Sequence, residues 1–283
     1  IVLSSYGAPI IAPHDPTTMD IAGRLKPPSH EFLLGQDQYG RDILSRLLFG
    51  GRVSLTVAII ASTCALIIGA SLGLIGGYFR GLSEYLTLRI VDVILSFPPI
   101  LLALLIVTLF GPGAVTLTAC LALLFSPGFA RVVYGETLST RNLDYVEASR
   151  ALGAGSFRII LWTILPNIIG PIIVQYSLTI SSAILIESGL SFLGLGVVPP
   201  DPSWGVMIRA ARGYMSYSPL GLLWPCLALT ITVLIFNGLC DGLRDFFDPK
   251  TRGSLKSPEI LKQKSYSDTP LKLLDVKNLS TYI

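Results

Sequence analysis

The stretch Val93–Ala130, VILSFPPILLALLIVTLFGPGAVTLTACLALLFSPGFA, contains no charged residue. A helix needs roughly 20 apolar residues to cross the hydrocarbon of a bilayer, so this stretch is too long for one crossing. It is interrupted near its middle by Gly111-Pro112-Gly113. We therefore predict two crossings joined by a tight turn. This reading makes the chain a membrane protein and excludes soluble folds.

The composition agrees with a membrane environment. The chain has 283 residues, of which 51% are hydrophobic and 14% are charged, whereas an average soluble domain carries about 25% charged residues. The net charge of +3 does not indicate a nucleic-acid partner. The four cysteines lie in apolar segments at irregular spacings, which favours buried packing over a metal site or a disulfide framework.

Three further uncharged runs are long enough to cross. With the hairpin they predict an all-α membrane protein with five complete transmembrane helices. Residues 1–12 are predicted to be the end of a first transmembrane helix whose start lies outside this sequence. The further runs are Val53–Phe79, Ile159–Ile186, whose helix is predicted to begin after Pro166 and Pro171, and Gly213–Cys240.

The basic residues predict the orientation. If the segment that follows the hairpin is cytoplasmic, 14 of the 21 lysines and arginines lie on the cytoplasmic side, as the positive-inside rule requires. The turn at Gly111 then lies on the outer face, and residues 13–52 are extracytoplasmic. The C-terminus is predicted to be cytoplasmic.

The cytoplasmic loop at residues 143–166 has a helical pattern of its own. Asp144 is suited to open a helix, and Gly153 is suited to the left-handed position that ends one. Ser156 is predicted to cap a second helix, Phe157–Leu165, which Pro166 ends or kinks. The pattern fits two readings, a helix pair lying on the membrane surface or a docking element for a soluble partner.

The residues of this loop resemble a known motif. Glu147-Ala148-Ser149, then Gly153, then Leu165-Pro166 is similar to the EAA loop of permease subunits in binding-protein-dependent ABC importers. Ser149 replaces an alanine of that pattern, and Thr163 stands where the family has isoleucine or histidine. The resemblance implies that the first helix of the loop is a coupling helix, which inserts into a cleft of an ATPase subunit and transmits its motion.

Other segments are similar to one branch of this family, the dipeptide, oligopeptide and nickel permeases. The resemblance covers about residues 35–249 and implies the type I permease fold. It implies a C-type subunit that pairs with a homologous B-type subunit, an extracytoplasmic substrate-binding protein, and a bacterial or archaeal cytoplasmic membrane. The matching segments are Gly35–Asp42, Leu190–Gly196 with Pro199-Pro200 and Ser203–Gly205, and Phe236-Asn237 with Asp241–Asp245.

Few polar residues of the spans are candidates for a translocation path or gate. We name Gln175, Glu187, Asn237 and Trp204. A carboxyl group at membrane depth is costly unless it is paired or hydrated, so Glu187 either pairs with Arg209 or Arg212 or lines the path. The loop Leu190–Pro219, rich in glycine, proline and aromatic residues, is hypothesised to be partly re-entrant and to shape an outer gate.

The sequence predicts no enzyme activity for the chain itself. It has no convincing catalytic set and no G-x-x-x-x-G-K-[ST] phosphate loop. We therefore predict no cofactor in this chain, with ATP and Mg²⁺ bound by partner ATPase subunits. Two alternatives are an ion-gradient-driven secondary transporter and a membrane assembly protein that transports nothing. The solute remains open among peptides, nickel chelates, glutathione and others.

The end of the chain suggests a further domain. Residues 53–249 are predicted to form the permease domain and residues 250–272 a cytoplasmic linker. Leu273–Ser280 alternates apolar and polar residues as a strand does, and it resembles the first strand of an ABC ATPase domain. A disordered tail is the alternative.

Overall fold

A computed structural model describes residues 2–247, and the prediction of an all-α protein is confirmed for that range. A 3₁₀ turn, Ile21–Gly23, precedes α3, and a π-helical segment, Ile159–Ile164, joins α8 to α9. The predicted linker at 250–272 and the predicted strand at 273–283 lie outside the described residues. The helices are α1 Val2–Tyr6, α2 Ala8–Ile11, α3 Ile43–Tyr78, α4 Leu82–Leu95, α5 Pro99–Phe110, α6 Ala114–Thr140, α7 Asp144–Ala151, α8 Ser156–Arg158, α9 Leu165–Asn167, α10 Ile169–Leu193, α11 Trp204–Arg212 and α12 Pro219–Phe247.

The hairpin turn lies where the sequence places it. Helix α5 ends at Phe110 and α6 begins at Ala114. Gly111 has a φ of 84° and Gly113 a φ of 158°, and Gly111 in particular adopts a conformation that side chains with a Cβ rarely accept. We call the end of the helix bundle that holds this turn the outer end, following the predicted topology, and the opposite end the inner end.

The first arm of the hairpin is not the single straight helix that was predicted. Helices α4 and α5 meet at an angle of 86° across a short break. The break is caused by Pro98-Pro99, because the residue before a proline is disfavoured in helical geometry and a proline has no N–H to donate. Two consecutive prolines therefore interrupt a run that is apolar enough to be one helix.

The two charged residues that border the uncharged run come together. Asp92, just before the run, and Arg131, just after it, form an ion pair of 3.0 Å between α4 and α6. One helical turn nearer the inner end, the Tyr134 hydroxyl donates to the Glu84 carboxylate at 2.6 Å. The base of the hairpin is thus held by polar contacts, while its arms are apolar.

Four helices, α3, α6, α10 and α12, are long and apolar enough to span a membrane within the described residues. The bent pair α4–α5 is a fifth span if its two helices are counted together. The predicted number of five complete spans therefore depends on this pair. Helix α10 begins two residues before Pro171 rather than after it, because the first turn of a helix does not need the N–H that a proline lacks.

Helix α3 begins at Ile43, ten residues before the uncharged run. Asp42 caps it by accepting from the Ser45 N–H at 2.9 Å. Asp37 pairs with the Nε atoms of Arg41 at 2.7 Å and Arg46 at 3.5 Å. These paired charges extend the helix beyond its apolar part at the outer end.

Helices α3 and α6 pack side by side along their length through glycines of α3 spaced four residues apart. A Cβ atom added at Gly73 would lie 2.7 Å from the Ala130 carbonyl oxygen and 2.8 Å from the Val133 Cβ. A Cβ at Gly77 would lie 2.7 Å from the Thr137 Cβ. Small residues let helix backbones approach closely in lipid, where packing must supply the association energy.

This contact predicts different effects for two glycine-to-alanine substitutions. Gly73→Ala places a methyl group against the α6 backbone and is expected to lower stability by about 1–3 kcal/mol. Gly135→Ala is the control, because nothing lies within 4 Å of its added Cβ and alanine favours the helix by roughly 0.5–1 kcal/mol. Thermal unfolding in detergent measures both, and equal melting temperatures for the two variants would contradict the close packing.

Candidate functional site: the loop between α6 and α10

The loop is fastened to the inner end of α3. The Arg141 guanidinium, just after α6, donates to the carbonyls of Gly77 and Tyr78, both at 3.2 Å. Those carbonyls are in the last turn of α3 and have no partner within the helix. The Arg150 guanidinium lies 5.8 Å from the centre of the Tyr78 ring. The loop therefore starts from a defined position on the bundle.

Helix α7 contains the Glu-Ala-Ser motif. Val146 is fully buried and packs in a cluster with Leu74 of α3 and Val133 of α6. Glu147 and Ala148, on the other side of α7, are exposed, and Ser149 is half-buried with its hydroxyl donating to the Tyr145 carbonyl at 2.9 Å. One side of α7 is thus bound to the helix bundle, and the motif faces away from it.

Gly153 ends α7 as the sequence predicts. Its φ is 84°, its N–H donates to the Arg150 carbonyl at 3.0 Å, and the Ala154 N–H donates to the Ser149 carbonyl at 3.1 Å. These two bonds form a Schellman motif, which requires a left-handed residue at the position of Gly153. The motif fixes the direction in which the chain leaves α7.

The second helix of the loop differs from the prediction. Gly155 rather than Ser156 occupies the N-cap position, and no side-chain cap is made there. The following residues, Ile159–Ile164, are wound as a π-helix, a form frequent at functional sites. Pro166 does not end the helix, because Leu165–Asn167 forms one more turn in which the Asn167 side chain donates to the Thr163 carbonyl at 2.6 Å.

Three large apolar side chains of this loop are more than three-quarters exposed, and the sequence reading missed them. Leu152 is 88% exposed, Phe157 76% and Trp162 79%. With Glu147 and Ala148 they form what we call the loop surface. A detectable signal was the placement of Leu152 and Phe157 on either side of the glycine turn, where a segment in water favours polar residues.

The structure separates the four residues named for a path or gate. Gln175 is half-buried on α10 with its Nε2 atom 3.5 Å from the Thr179 hydroxyl, and Asn237 is exposed on α12. Glu187 and Trp204 are both enclosed by protein near the outer end, where the Trp204 ring N–H donates to the Leu47 carbonyl at 3.1 Å. Their roles in a path stay predictions.

The expected ion pair of Glu187 with an arginine is wrong. The carboxyl group accepts from the hydroxyls of Ser191 at 2.8 Å and Ser188 at 3.2 Å. Arg212 instead lies 5.8 Å from the centre of the Phe192 ring, and within residues 2–247 no ion pair involves Glu187. Neighbouring serine hydroxyls stabilise the carboxyl group by hydrogen bonds, in place of the ion pair with an arginine that the sequence predicted.

Comparison with known proteins decides the family. Residues 44–253 match the family described as the inner membrane component of binding-protein-dependent transport systems. The chain belongs to this family. It is a transport subunit with several membrane-spanning helices, and such importers work with ATPase and substrate-binding partners. The predicted importer permease is therefore supported over both alternatives, the secondary transporter and the assembly protein.

Its relatives in the binding-protein-dependent family carry peptide-related names. The chain is 40% identical to a glutathione transport system permease protein of Pectobacterium atrosepticum over 89% of this chain and 84% of that protein. It is also 40% identical to a di/tripeptide transport system permease protein of Pseudomonas aeruginosa, over 90% of this chain and 86% of that one. A dipeptide transport system permease protein of Haemophilus influenzae is 38% identical over 89% and 88%.

Solved structures support the fold of this permease family. An inward-facing methionine ABC transporter covers 72% of this chain and 97% of its own, with a TM-score of 0.61 at 19% identity. An amino acid ABC transporter covers 72% and 94%, with a TM-score of 0.56 at 16% identity. At these identities the likeness establishes the shared fold alone.

The Schellman motif predicts that Gly153 is required for local order in the loop of this permease. Gly153→Ala forces a Cβ into the left-handed region at a cost of roughly 1–2 kcal/mol. Gly155→Ala is the control, since its φ is −66° and nothing lies within 4 Å of its added Cβ. Hydrogen exchange of the Gly153 and Ala154 amides should accelerate only in the first variant. Equal protection in both would contradict this account.

Proposed function

We propose that this chain is the C-type permease subunit of an ATP-driven importer for peptides or a related small solute, in a bacterial or archaeal cytoplasmic membrane. A homologous B-type permease completes the path, and an extracytoplasmic binding protein delivers the solute. The names of the relatives, which include dipeptide, di/tripeptide and glutathione systems, support this substrate class.

The loop surface is the docking site for the ATPase in this proposal. The observation that carries it is the division of α7 into a buried side, anchored by Val146, and an exposed side bearing Glu147. Leu152, Phe157 and Trp162 extend the exposed side with apolar area that a partner would remove from water. ATP and Mg²⁺ are bound by the ATPase, which supplies the energy for transport.

A force applied to the loop surface has a direct route into the membrane helices. Val146 lies in one buried cluster with Leu74, Val133 and Ile172, which belong to α3, α6 and α10. The Schellman motif at Gly153 and the contacts of Arg141 resist bending of the loop itself. A displacement of α7 is therefore passed to three spans at once, as switching between inward-open and outward-open states requires.

The exposed face of α10 is the proposed lining of the path. One face of α10 is exposed at positions spaced four and three residues apart, namely Leu178, Ser182, Leu185 and Gly189. Half-buried Gln175 lies on the same face, one turn before Leu178. Helix α12 by contrast exposes mainly leucine and isoleucine from Leu220 to Ile235. Lipid favours the uniform apolar face, whereas a face that mixes hydroxyl, amide and small residues suits a water-filled path or a partner subunit.

Charge reversal at Glu147 tests the docking site. Glu147→Lys is expected to lower co-purification of the ATPase and ATP-driven uptake at least about tenfold, the range of a disrupted interface hot spot. Glu136→Lys, on α6 outside the loop, is the control and should keep both. Membrane insertion is checked by the yield of folded protein. Uptake at the unaltered level in Glu147→Lys would count against coupling through this loop.

Cysteine labelling tests the path. In a variant without the four native cysteines, Ser182→Cys on α10 should react with a water-soluble thiol reagent in the assembled transporter. Thr230→Cys on α12 is also exposed in the single chain but should react slowly, because lipid excludes the reagent. Equal rates at the two positions would reject the assignment of α10 to the path.

A further inference from the structure

Glu187 is a fully buried ionisable group that the transport mechanism above does not use. It lies 18 residues into α10 from Ile169, about 27 Å along the helix axis, close to the outer end. Ser188 and Ser191 of its own helix donate to its carboxyl group, and the hydroxyls of Ser54 and Ser203 lie close enough to stabilise its charge. Ser54 belongs to α3, and Ser203 is the N-cap of α11. The carboxyl group therefore lies where three elements meet.

Three of these hydroxyls are already occupied as acceptors. Ser191 Oγ accepts from the Val197 N–H, Ser54 Oγ from the Trp204 N–H and Ser203 Oγ from the Val206 N–H, each at 3.3 Å. Each hydroxyl retains one hydrogen to donate. Ser191 donates its hydrogen to Glu187 at 2.8 Å, and the same carboxyl group is the acceptor near Ser54 and Ser203. The backbone of the loop before α11 is thus connected through serines to a single carboxyl group.

The elements around the carboxyl group pack closely, and Glu187 itself has no exposed surface. The Ser203–Gly205 turn lies against α10 so closely that a Cβ at Gly205 would lie 2.7 Å from the Ser191 Cβ. On the other side, a Cβ at Gly51 would lie 2.7 Å from the Trp204 ring. Water has little access, so a hydroxyl that lost Glu187 would be left without an acceptor, which is costly in a buried site.

We propose that Glu187 is a positioning residue whose carboxyl group fixes the loop 194–203 and the start of α11 onto α3 and α10, and that uptake driven by ATP depends on this attachment. The second half of the proposal rests on the transport function proposed above. The reason is mechanical: α10 packs against the buried side of the 143–166 loop at its inner end and carries Glu187 near its outer end. A loosened attachment would let α10 move without moving the outer loop.

The test compares two substitutions that separate acceptor capacity from size. Glu187→Gln keeps the size but turns one acceptor oxygen into an NH₂ donor that faces hydroxyl donors. Glu187→Asp is one methylene shorter but keeps both acceptor oxygens. If hydrogen bonding to the carboxyl group matters most, Asp preserves the attachment better than Gln. If packing matters most, the order is reversed, and the proposal is overturned.

The readout of the attachment is thiol labelling of the loop in the complete transporter, in a background without the native cysteines. Val197 is 5% exposed and Val198 is 47% exposed. Val198→Cys should label with an impermeant maleimide in every background. Val197→Cys should be protected in the parent and label about tenfold faster with Glu187→Gln, the effect of leaving one buried hydrogen-bonding group unsatisfied. Continued protection with Glu187→Gln would overturn the proposal.

The readout of function is solute uptake per ATP hydrolysed in proteoliposomes. Glu187→Gln should lower this ratio while ATP hydrolysis continues, and Glu187→Asp should retain most of it. Ser182→Ala, on the exposed face of α10, is the control for the labelling experiment and should leave loop labelling unchanged. An unchanged ratio in a variant whose loop labels rapidly would overturn the coupling role. If Glu187→Gln fails to insert, Ser191→Ala replaces it, because it removes the hydroxyl that links the Val197 N–H to Glu187. Absence of ATP-driven uptake in the parent would instead refute the transport function. The labelling comparison would then still test whether Glu187 holds the loop.

Discussion

The close contact of α3 with α6 is the constraint on which the rest of the structure depends. In lipid the solvent is as apolar as the side chains, so helices associate through packing and hydrogen bonds rather than by leaving water. Gly73 and Gly77 bring the two backbones together, and the inner ends of both helices are thereby fixed side by side. Arg141 can then reach the terminal carbonyls of α3 from the end of α6. The position of the 143–166 loop follows from this contact.

The polar groups of the chain are arranged differently at the two ends. At the outer end Glu187 is buried, and its hydrogen-bonding needs are met by serine hydroxyls. At the inner end the apolar side chains Leu152, Phe157 and Trp162 are exposed. A buried polar cluster and an exposed apolar surface are both costly in a single chain. In the assembly we propose, the first fixes internal geometry and the second is covered by the ATPase.

The sequence predicted what depends on local chemistry. An uncharged run with Gly111-Pro112-Gly113 at its centre identifies a hairpin turn, and the left-handed end of α7 follows from Gly153 alone. Tertiary features could not be read in the same way. The 86° angle between α4 and α5 depends on how each helix packs against α6, although Pro98-Pro99 marks the break. Glu187 accepts from Ser188 and Ser191 of its own helix and lies near Ser54 and Ser203, which are distant in sequence, so the expected arginine was the wrong partner.

The bend divides the first arm of the hairpin into two parts with different attachments. Helix α4 is held to the inner half of α6 by the Asp92–Arg131 ion pair and by the bond from Tyr134 to Glu84. Helix α5 is held at the outer end, where Ala103 and Ile106 pack with Leu117 of α6. Since Pro98 and Pro99 remove backbone hydrogen bonds at the junction, the helix ladder does not transmit bending between the two parts. We therefore expect α4 to move with the inner half of α6 and α5 to move with its outer half. The boundary between these two parts is the Pro98-Pro99 break, which lies inside the uncharged run.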